Sequence, residues 1–371
     1  GEEAIQEAMS AQITVCTVHF AARLATYGVP LGHFDVLVVD EAGHATEPEV
    51  IAVASTLVDF QRKDDSIGQL VLAGDPRQLG PIITSSLCRK FGMELSYMER
   101  MANIPVYGKD SNDQLPAPLI TKLLHNYRSH PSILKLPNDL FYGGELIAAG
   151  NVLKTHDMTR WEHLTNNQFP LLFHAVRGEN MREGNSPSWF NPQEAQEVVN
   201  YADILVNQSP PPVAESDIGI ITPYARQAQK IRLALASRNL NNIKVGSVEA
   251  FQGQERRCII VSTVRTDTEL IATDLKYNLG FVANAKRFNV AITRASSLLV
   301  VIGDPNVLAA DKKNWLPFIQ YCKDNTAWAG EEWEDTGHRV VEDFTDAKDD
   351  MEVGPSAKAA QEGIGFINRE E

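Results

Sequence analysis

Two short runs hold the residues best suited to chemistry. Val36-Leu-Val-Val ends abruptly in Asp40-Glu41, and Leu70-Val-Leu-Ala ends in Gly74-Asp75, with Gln78 three residues on. Continuous apolar runs of this kind read as buried parallel strands. In an open α/β sheet, ligands bind beyond the carboxyl ends of such strands. Two neighbouring strands would therefore bring Asp40, Glu41 and Gln78 to one crevice. An Asp-Glu pair there suits magnesium and an activated water, the parts needed to hydrolyse a nucleoside triphosphate.

Other apolar runs can carry such a site. Ile13–Val18, Val36–Val39 and Leu70–Ala73 alternate with helical stretches. A second set follows at Leu171–Ala175, Ile218–Thr222, Lys244–Val248, Cys258–Thr263 and Leu298–Gly303. This alternation predicts an α/β fold with parallel sheets. Residues 103–118 are rich in Asn, Asp, Pro and Gly and read as a connection, and Pro210–Pro212 as a loop. Asn191-Pro192-Gln193-Glu194 has the form of a helix start, with an N-cap, a proline in first position and a capping-box acid. Trp189 and Phe190 read as core anchors, with base-stacking platforms as the competing reading.

Bulk properties narrow the classes. The 371 residues are long enough for two domains. No apolar run approaches the roughly 20 residues needed to span a bilayer. The acidic start, Gly-Glu-Glu-Ala-Ile-Gln-Glu, is no secretory signal. A first residue other than methionine predicts that the chain begins inside a longer polypeptide. Residues 331–371 hold 13 acids and 4 Lys/Arg, so −9 of the net −14 lies there and −5 is left for the rest. That tail is expected to be disordered, and its charge does not exclude a basic groove elsewhere. Cys16, Cys88, Cys258 and Cys322 show no metal spacing. Three of them follow or enter apolar runs, which predicts buried free thiols and a reducing compartment, cytoplasm or nucleus. His44, His125 and His130 form no spaced cluster for a transition metal.

Four further motifs follow in order: His125-Asn-Tyr-Arg-Ser-His-Pro131, Ile220-Ile-Thr-Pro-Tyr-Ala-Arg-Gln227, Gly246-Ser-Val-Glu-Ala-Phe-Gln-Gly-Gln-Glu255 and Lys286-Arg-Phe-Asn-Val-Ala-Ile-Thr-Arg-Ala295. With the two acidic runs, they resemble the superfamily 1 helicases of the Upf/Dna2-type branch, and most of all the Armitage-type RNA helicases. Gly184-Asn-Ser-Pro-Ser-Trp-Phe-Asn-Pro192 strengthens the likeness to that subgroup.

The resemblance implies two RecA-like lobes with ATP between them and single-stranded nucleic acid across their top. Residues 1–105 would be the later part of the first lobe, 106–118 a connection, 119–330 the second lobe and 331–371 the tail. Asp40 would hold magnesium and Glu41 would activate water. Gln78 would sense the γ-phosphate, with Arg128 and Arg294 reaching it from the second lobe. Tyr127 would lie near adenine and Glu255 near ribose or triphosphate, while Gly253 would permit a close approach or a tight turn. Thr17, Thr222, Pro223, Tyr224, Ser247 and Val248 would meet the sugar-phosphate backbone without reading sequence.

One departure stands out. No GxxxxGK[ST] loop occurs in the chain. Since Ile13-Thr-Val-Cys-Thr already resembles a later motif of the same lobe, the first lobe is expected to be incomplete at its N-terminus, and the chain alone inactive. Single-stranded RNA is the expected partner. A DNA helicase of the same branch and a non-catalytic RNA clamp are the competing readings. Bland roles compete at each position: Asp40-Glu41 as a helix N-cap, Gln78 as a turn residue, and Arg128 as a surface ion pair.

Overall fold

In the computed structural model, the residues described are 2–62, 67–109, 115–116, 119–184, 188–210, 212–267, 281 and 284–335. The chain divides into two compact units, Gly1–Lys122 and Leu123–Glu371. The expected tail beyond Asp335 and residues 185–187 of the Gly184–Pro192 run lie outside the described residues.

In the first unit, Val36–Val39 and Gln69–Leu72 pair in parallel, Val38 opposite Val71. One face of this ribbon is covered. Leu37 packs against Ile5, Leu24, Val53 and Leu57 of the helices Glu2–Ser10, Val18–Thr26 and Glu47–Leu57, while Leu70 and Leu72 pack around Val39 and Val50. The other face is bare: Val36 is 50% exposed, Val38 60% and Val71 46%. The expectation of strands buried on both faces fails here, because nothing among the described residues covers that side.

The expected strand at Ile13–Val18 is not formed. Thr17 instead caps the helix Val18–Thr26, its hydroxyl accepting from the Phe20 amide at 3.3 Å. Ile13 and Val15 are left exposed without a strand partner. Cys16 is therefore exposed too. Cys258 and Cys322 are buried and Cys88 is half-buried, so two thiols rather than three are enclosed, and all four are unpaired.

The second unit is built on a six-stranded, all-parallel sheet in the order Trp328–Gly330, Leu171–Ala175, Ala295–Gly303, Arg256–Ser262, Ile218–Ile221, Lys244–Gly246. Its central strands are apolar throughout because both faces are covered. Ile218, Ile220, Ile260, Val300 and Ile302 meet Val198, Val199, Ile231 and Leu235 of the helices Pro192–Asp203 and Ala225–Ala236. On the other face, the ring of Phe173 lies 6.4 Å from that of Phe318, in a cluster with Phe288 and Trp315. Five strands fall where the apolar runs predict them, with ends shifted by a few residues. Trp328–Gly330 is too short and too small-residue-rich to announce itself.

The Asn191 start is a helix start, with a twist. Asn191 accepts from the Glu194 amide at 3.0 Å, as an N-cap should. Glu194 does not close a capping box. Its carboxylate accepts from Ser262 Oγ at 2.6 Å and from the Val264 amide at 2.9 Å, while the Asn191 amide donates to Gln227.

Candidate functional site

In the first unit, the acids sit where two parallel strands end. The Ala73 amide donates to the Val39 carbonyl at 2.9 Å and the Ala42 amide to the Ala73 carbonyl at 2.8 Å, so the two following loops run side by side. Asp40 and Glu41 are both exposed. Asp40 accepts from the Glu41 amide at 3.0 Å, and Glu41 takes a positive φ of 50°, a conformation that non-glycine residues visit sparingly. Asp75 organises the second loop, accepting from the Arg77 amide at 2.8 Å and from Gln78 Nε2 at 2.9 Å. Asp40, Glu41 and Gln78 are thus brought to one edge. Neither acid is an N-cap: the next helix, Glu47–Leu57, begins after Thr46, whose amide donates to Glu49 at 2.8 Å. Thr17 belongs to this unit but is occupied as a cap.

In the second unit, three motifs meet at the amino-terminal edge of the sheet. Arg128 Nε donates to Glu255 Oε2 at 2.5 Å. Arg294 Nη1 donates to the Gln254 carbonyl at 3.4 Å and Nη2 to Thr293 Oγ1 at 3.3 Å. The Arg256 amide donates to the Arg294 carbonyl at 3.1 Å, Ser129 Oγ to the Ala295 carbonyl at 2.8 Å, and the His130 amide to the Ser296 carbonyl at 2.8 Å. Arg128, Gly253, Glu255 and Arg294 therefore share one region, although Arg294 is only 2% exposed. Gly253 serves a turn rather than a close approach: its φ is +67°, and an added Cβ would meet nothing within 4 Å. Tyr127 is exposed, its ring 6.1 Å from that of His125. His130 is buried as the cap of the helix Pro131–Phe141, accepting from the Ser132 amide. Burial, and then the neighbouring His156, push its pKa down to about 4.

The opposite, carboxyl-terminal edge holds the other candidates. The Thr222 amide donates to the Gly246 carbonyl at 3.0 Å, which brings Thr222, Pro223 and Tyr224 beside Ser247 and Val248. Their side chains are not open surface as expected: Thr222 and Val248 are each 1% exposed, and Ser247 and Tyr224 are also buried. The apolar packing that forms the strand ends encloses them.

Sequence reasoning passed over three features here. Glu249 and Arg287 form a largely buried ion pair at 2.9 Å that ties the Gly246–Glu255 motif to the helix Ala285–Ile292. Glu194 holds the turn after Arg256–Ser262, and burial pushes its pKa up to about 7. Arg265 lies over two aromatic rings, those of Trp189 at 4.7 Å and Tyr224 at 5.1 Å. Trp189 is only half-buried, whereas Phe190 is core as expected. The one signal for Arg265 was its place just past the carboxyl end of an apolar strand.

Comparison with known proteins agrees with these motifs. An AAA domain family matches residues 109–306, more than half of the chain, and a second AAA domain family matches residues 2–86. The chain belongs to the AAA domain family, and within it to the Upf/Dna2-type superfamily 1 helicases related to Armitage. It is 45% identical over 315 residues to the "RNA helicase Mov10l1" of Homo sapiens, covering 83% of this chain and 25% of that protein. It is 44% identical over 333 residues to the Mus musculus "RNA helicase Mov10l1", covering 88% and 27%. To the "Probable RNA helicase armi" of Drosophila melanogaster it is 37% identical over 334 residues, covering 86% and 27%. The chain spans about a quarter of the length of these relatives.

Proposed function

We propose that the protein is the motor part of an ATP-dependent RNA helicase or ribonucleoprotein remodeller that moves on single-stranded RNA. The observation that carries this reading is the meeting of Arg128, Glu255 and Arg294 at one edge of the six-stranded sheet, from three motifs far apart in sequence. RNA, rather than DNA, is favoured by the names of these relatives, which are RNA helicases.

In this reading the two units act as two RecA-like lobes. Asp40 and Glu41 present hard carboxylate oxygens that fit magnesium, and Asp40 would hold it. Bound magnesium supplies charge neutralisation on the phosphates. Glu41 takes the proton of the attacking water, and Gln78 senses the γ-phosphate. Arg128 and Arg294 stabilise charge on the transferring phosphoryl group, which suits a planar guanidinium that stays protonated. Arg294 must then leave the Gln254 carbonyl to act, and the turn at Gly253 is where the backbone can give. Tyr127, exposed beside Arg128, is free to meet the base of the nucleotide.

The bare face of Val36, Val38 and Val71 supports an unfinished first lobe. A segment outside these residues, carrying the phosphate-binding loop, would complete it. The unpaired cysteines are in keeping with the cytoplasm.

The test is steady-state ATP hydrolysis by the parent polypeptide, extended upstream, with single-stranded RNA, single-stranded DNA or neither. RNA should stimulate turnover, and Glu41→Gln should reduce it by roughly 10²–10⁴-fold while ATP binding survives. Turnover unaffected by Glu41→Gln would sink the general-base role. Strand binding without any turnover would move the reading to a non-catalytic clamp, and stimulation by DNA alone to a DNA helicase.

A further inference from the structure

We propose that Trp189 is a base-stacking site, capped by Arg182 in the free protein, which extends the strand-binding surface of the second unit onto the hairpin Met181–Arg182/Trp189–Phe190. The proposal rests on the reading above that the protein binds single-stranded nucleic acid.

The cations near this hairpin are unequal. Arg226 and Lys230 both pair with Glu183. Arg182 is exposed and meets no carboxylate among the described residues; its Cζ lies 4.5 Å from the centre of the Trp189 ring. This arginine thus lies on an aromatic face instead of on an acid. Behind Trp189 lies Arg265, which is 3% exposed and stacks also on Tyr224. A continuous series, Tyr224, Arg265, Trp189, Arg182, thus runs from the Thr222–Tyr224 loop outward to solvent.

The inner members are held rigidly. Val264, just before Arg265, sits at φ +74°, where β-branched residues are rarely found. Its amide is clamped by the buried Glu194 carboxylate. Trp189 pairs with Arg182 across the hairpin, Phe190 beneath is core, and Ser188 Oγ accepts from the Arg226 amide at 3.0 Å. Only Arg182 is free to move.

A guanidinium is flat and of a size with a pyrimidine edge. An exposed cation–π contact is weaker than stacking of a base on an indole. An incoming base would therefore displace Arg182 from Trp189, and the released guanidinium would pair with the adjoining phosphate. Every base has such a face, so the site would tolerate any sequence.

The test is fluorescence anisotropy of the full 371-residue chain with a labelled oligouridylate and with the same oligomer carrying abasic spacers. Trp189→Leu should weaken oligouridylate binding by about 5- to 150-fold and bring it close to that of the abasic oligomer. Arg182→Ala should reduce the slope of log K against log salt by about 0.7, the contribution of one phosphate contact on a single strand. Trp189→Tyr keeps a stacking face and should stay within about three-fold of the parent, which separates stacking from folding. If the parent chain binds oligouridylate but neither Trp189→Leu nor Arg182→Ala alters binding, the proposal is overturned while the helicase reading stands. A folded Trp189→Tyr as weak as Trp189→Leu overturns it too. A 371-residue chain that binds neither oligomer overturns the stacking site, while turnover of the extended polypeptide still decides the helicase reading.

Discussion

Arg128 and Glu255 are partly open to solvent, at 29% and 57% side-chain exposure, which limits what their contact gives the fold. Ion pairs at such positions contribute about 0–1 kcal/mol. Arg128→Ala should therefore shift the melting of the protein by little, while ATP turnover in the extended polypeptide falls by roughly 10³-fold or more. A large loss of stability with turnover intact would assign Arg128 to structure. Two buried groups make a second prediction, with opposite signs. Glu194 has a folded pKa of about 7, above that of an unfolded glutamate, so the native state binds the extra proton and its stability falls as pH rises from about 4.5 to about 7. His130 has a folded pKa of about 4, below that of an unfolded histidine, so its stability is present above about 6.5 and is lost as pH falls towards 4. The two offset each other in the parent. Glu194→Gln should uncover a rise in stability with pH across this window, and His130→Asn, which keeps a cap for the helix Pro131–Phe141, should uncover a fall. Thermal melts of the three proteins at stepped pH check both signs.

At the scale of elements, the six-stranded sheet collects candidate residues at both of its edges. Its amino-terminal edge gathers Arg128, Glu255 and Arg294, and its carboxyl-terminal edge gathers Thr222, Ser247 and Arg265. Close packing between neighbouring strands links them. Gly219 lies in the strand Ile218–Ile221, and a Cβ there would stand 2.6 Å from Phe251 and 2.8 Å from Ile259. Phe251 is fully buried within the Gly246–Glu255 motif. Gly219→Ala should cost about 1–3 kcal/mol through overpacking, read as a lower denaturant midpoint. Because the displaced ring belongs to the motif that carries Gln254 and Glu255, turnover in the extended polypeptide should fall by more than that stability loss alone explains. An unchanged midpoint would show that the strand relaxes freely.

For the whole molecule, the second unit does not end at its last strand. The Glu331 amide donates to the Ala175 carbonyl at 3.1 Å, and Trp333 is buried with its ring 6.4 Å from that of Trp328. Truncation after Asp335 keeps every described residue of the second unit and sets its reference melting temperature. Truncation after Gly330 removes Trp333 and should cost about 1.5–3 kcal/mol, a fall of roughly 3–10 °C. Equal melting of the two truncated chains would show that Trp333 contributes nothing. The two units also differ in how their strands are covered: the second encloses its central strands on both faces, whereas the first leaves Val36, Val38 and Val71 exposed.

What the sequence by itself determined follows from local rules. Long apolar runs flanked by turn residues located five of the six strands, because a strand buried on both faces must be apolar at every position. That Asp40, Glu41 and Gln78 would lie at one edge was legible because both apolar runs end where polar loops begin. Asn191 declared a helix start by its short side chain and the proline after it. The tertiary structure decided everything that depends on who lies opposite. It turned Glu194 from a capping acid into an anchor for Val264, since Ser262 and Val264 offered donors at closer reach. It left Ile13–Val18 unpaired, because a strand needs a neighbour that local sequence does not supply. It buried Thr222, Ser247 and Arg294, and it set Arg265 between Trp189 and Tyr224. Which polar side chains are enclosed, and which cations and rings meet, depends on surfaces brought together by folding, and spacing along the chain does not encode those partners.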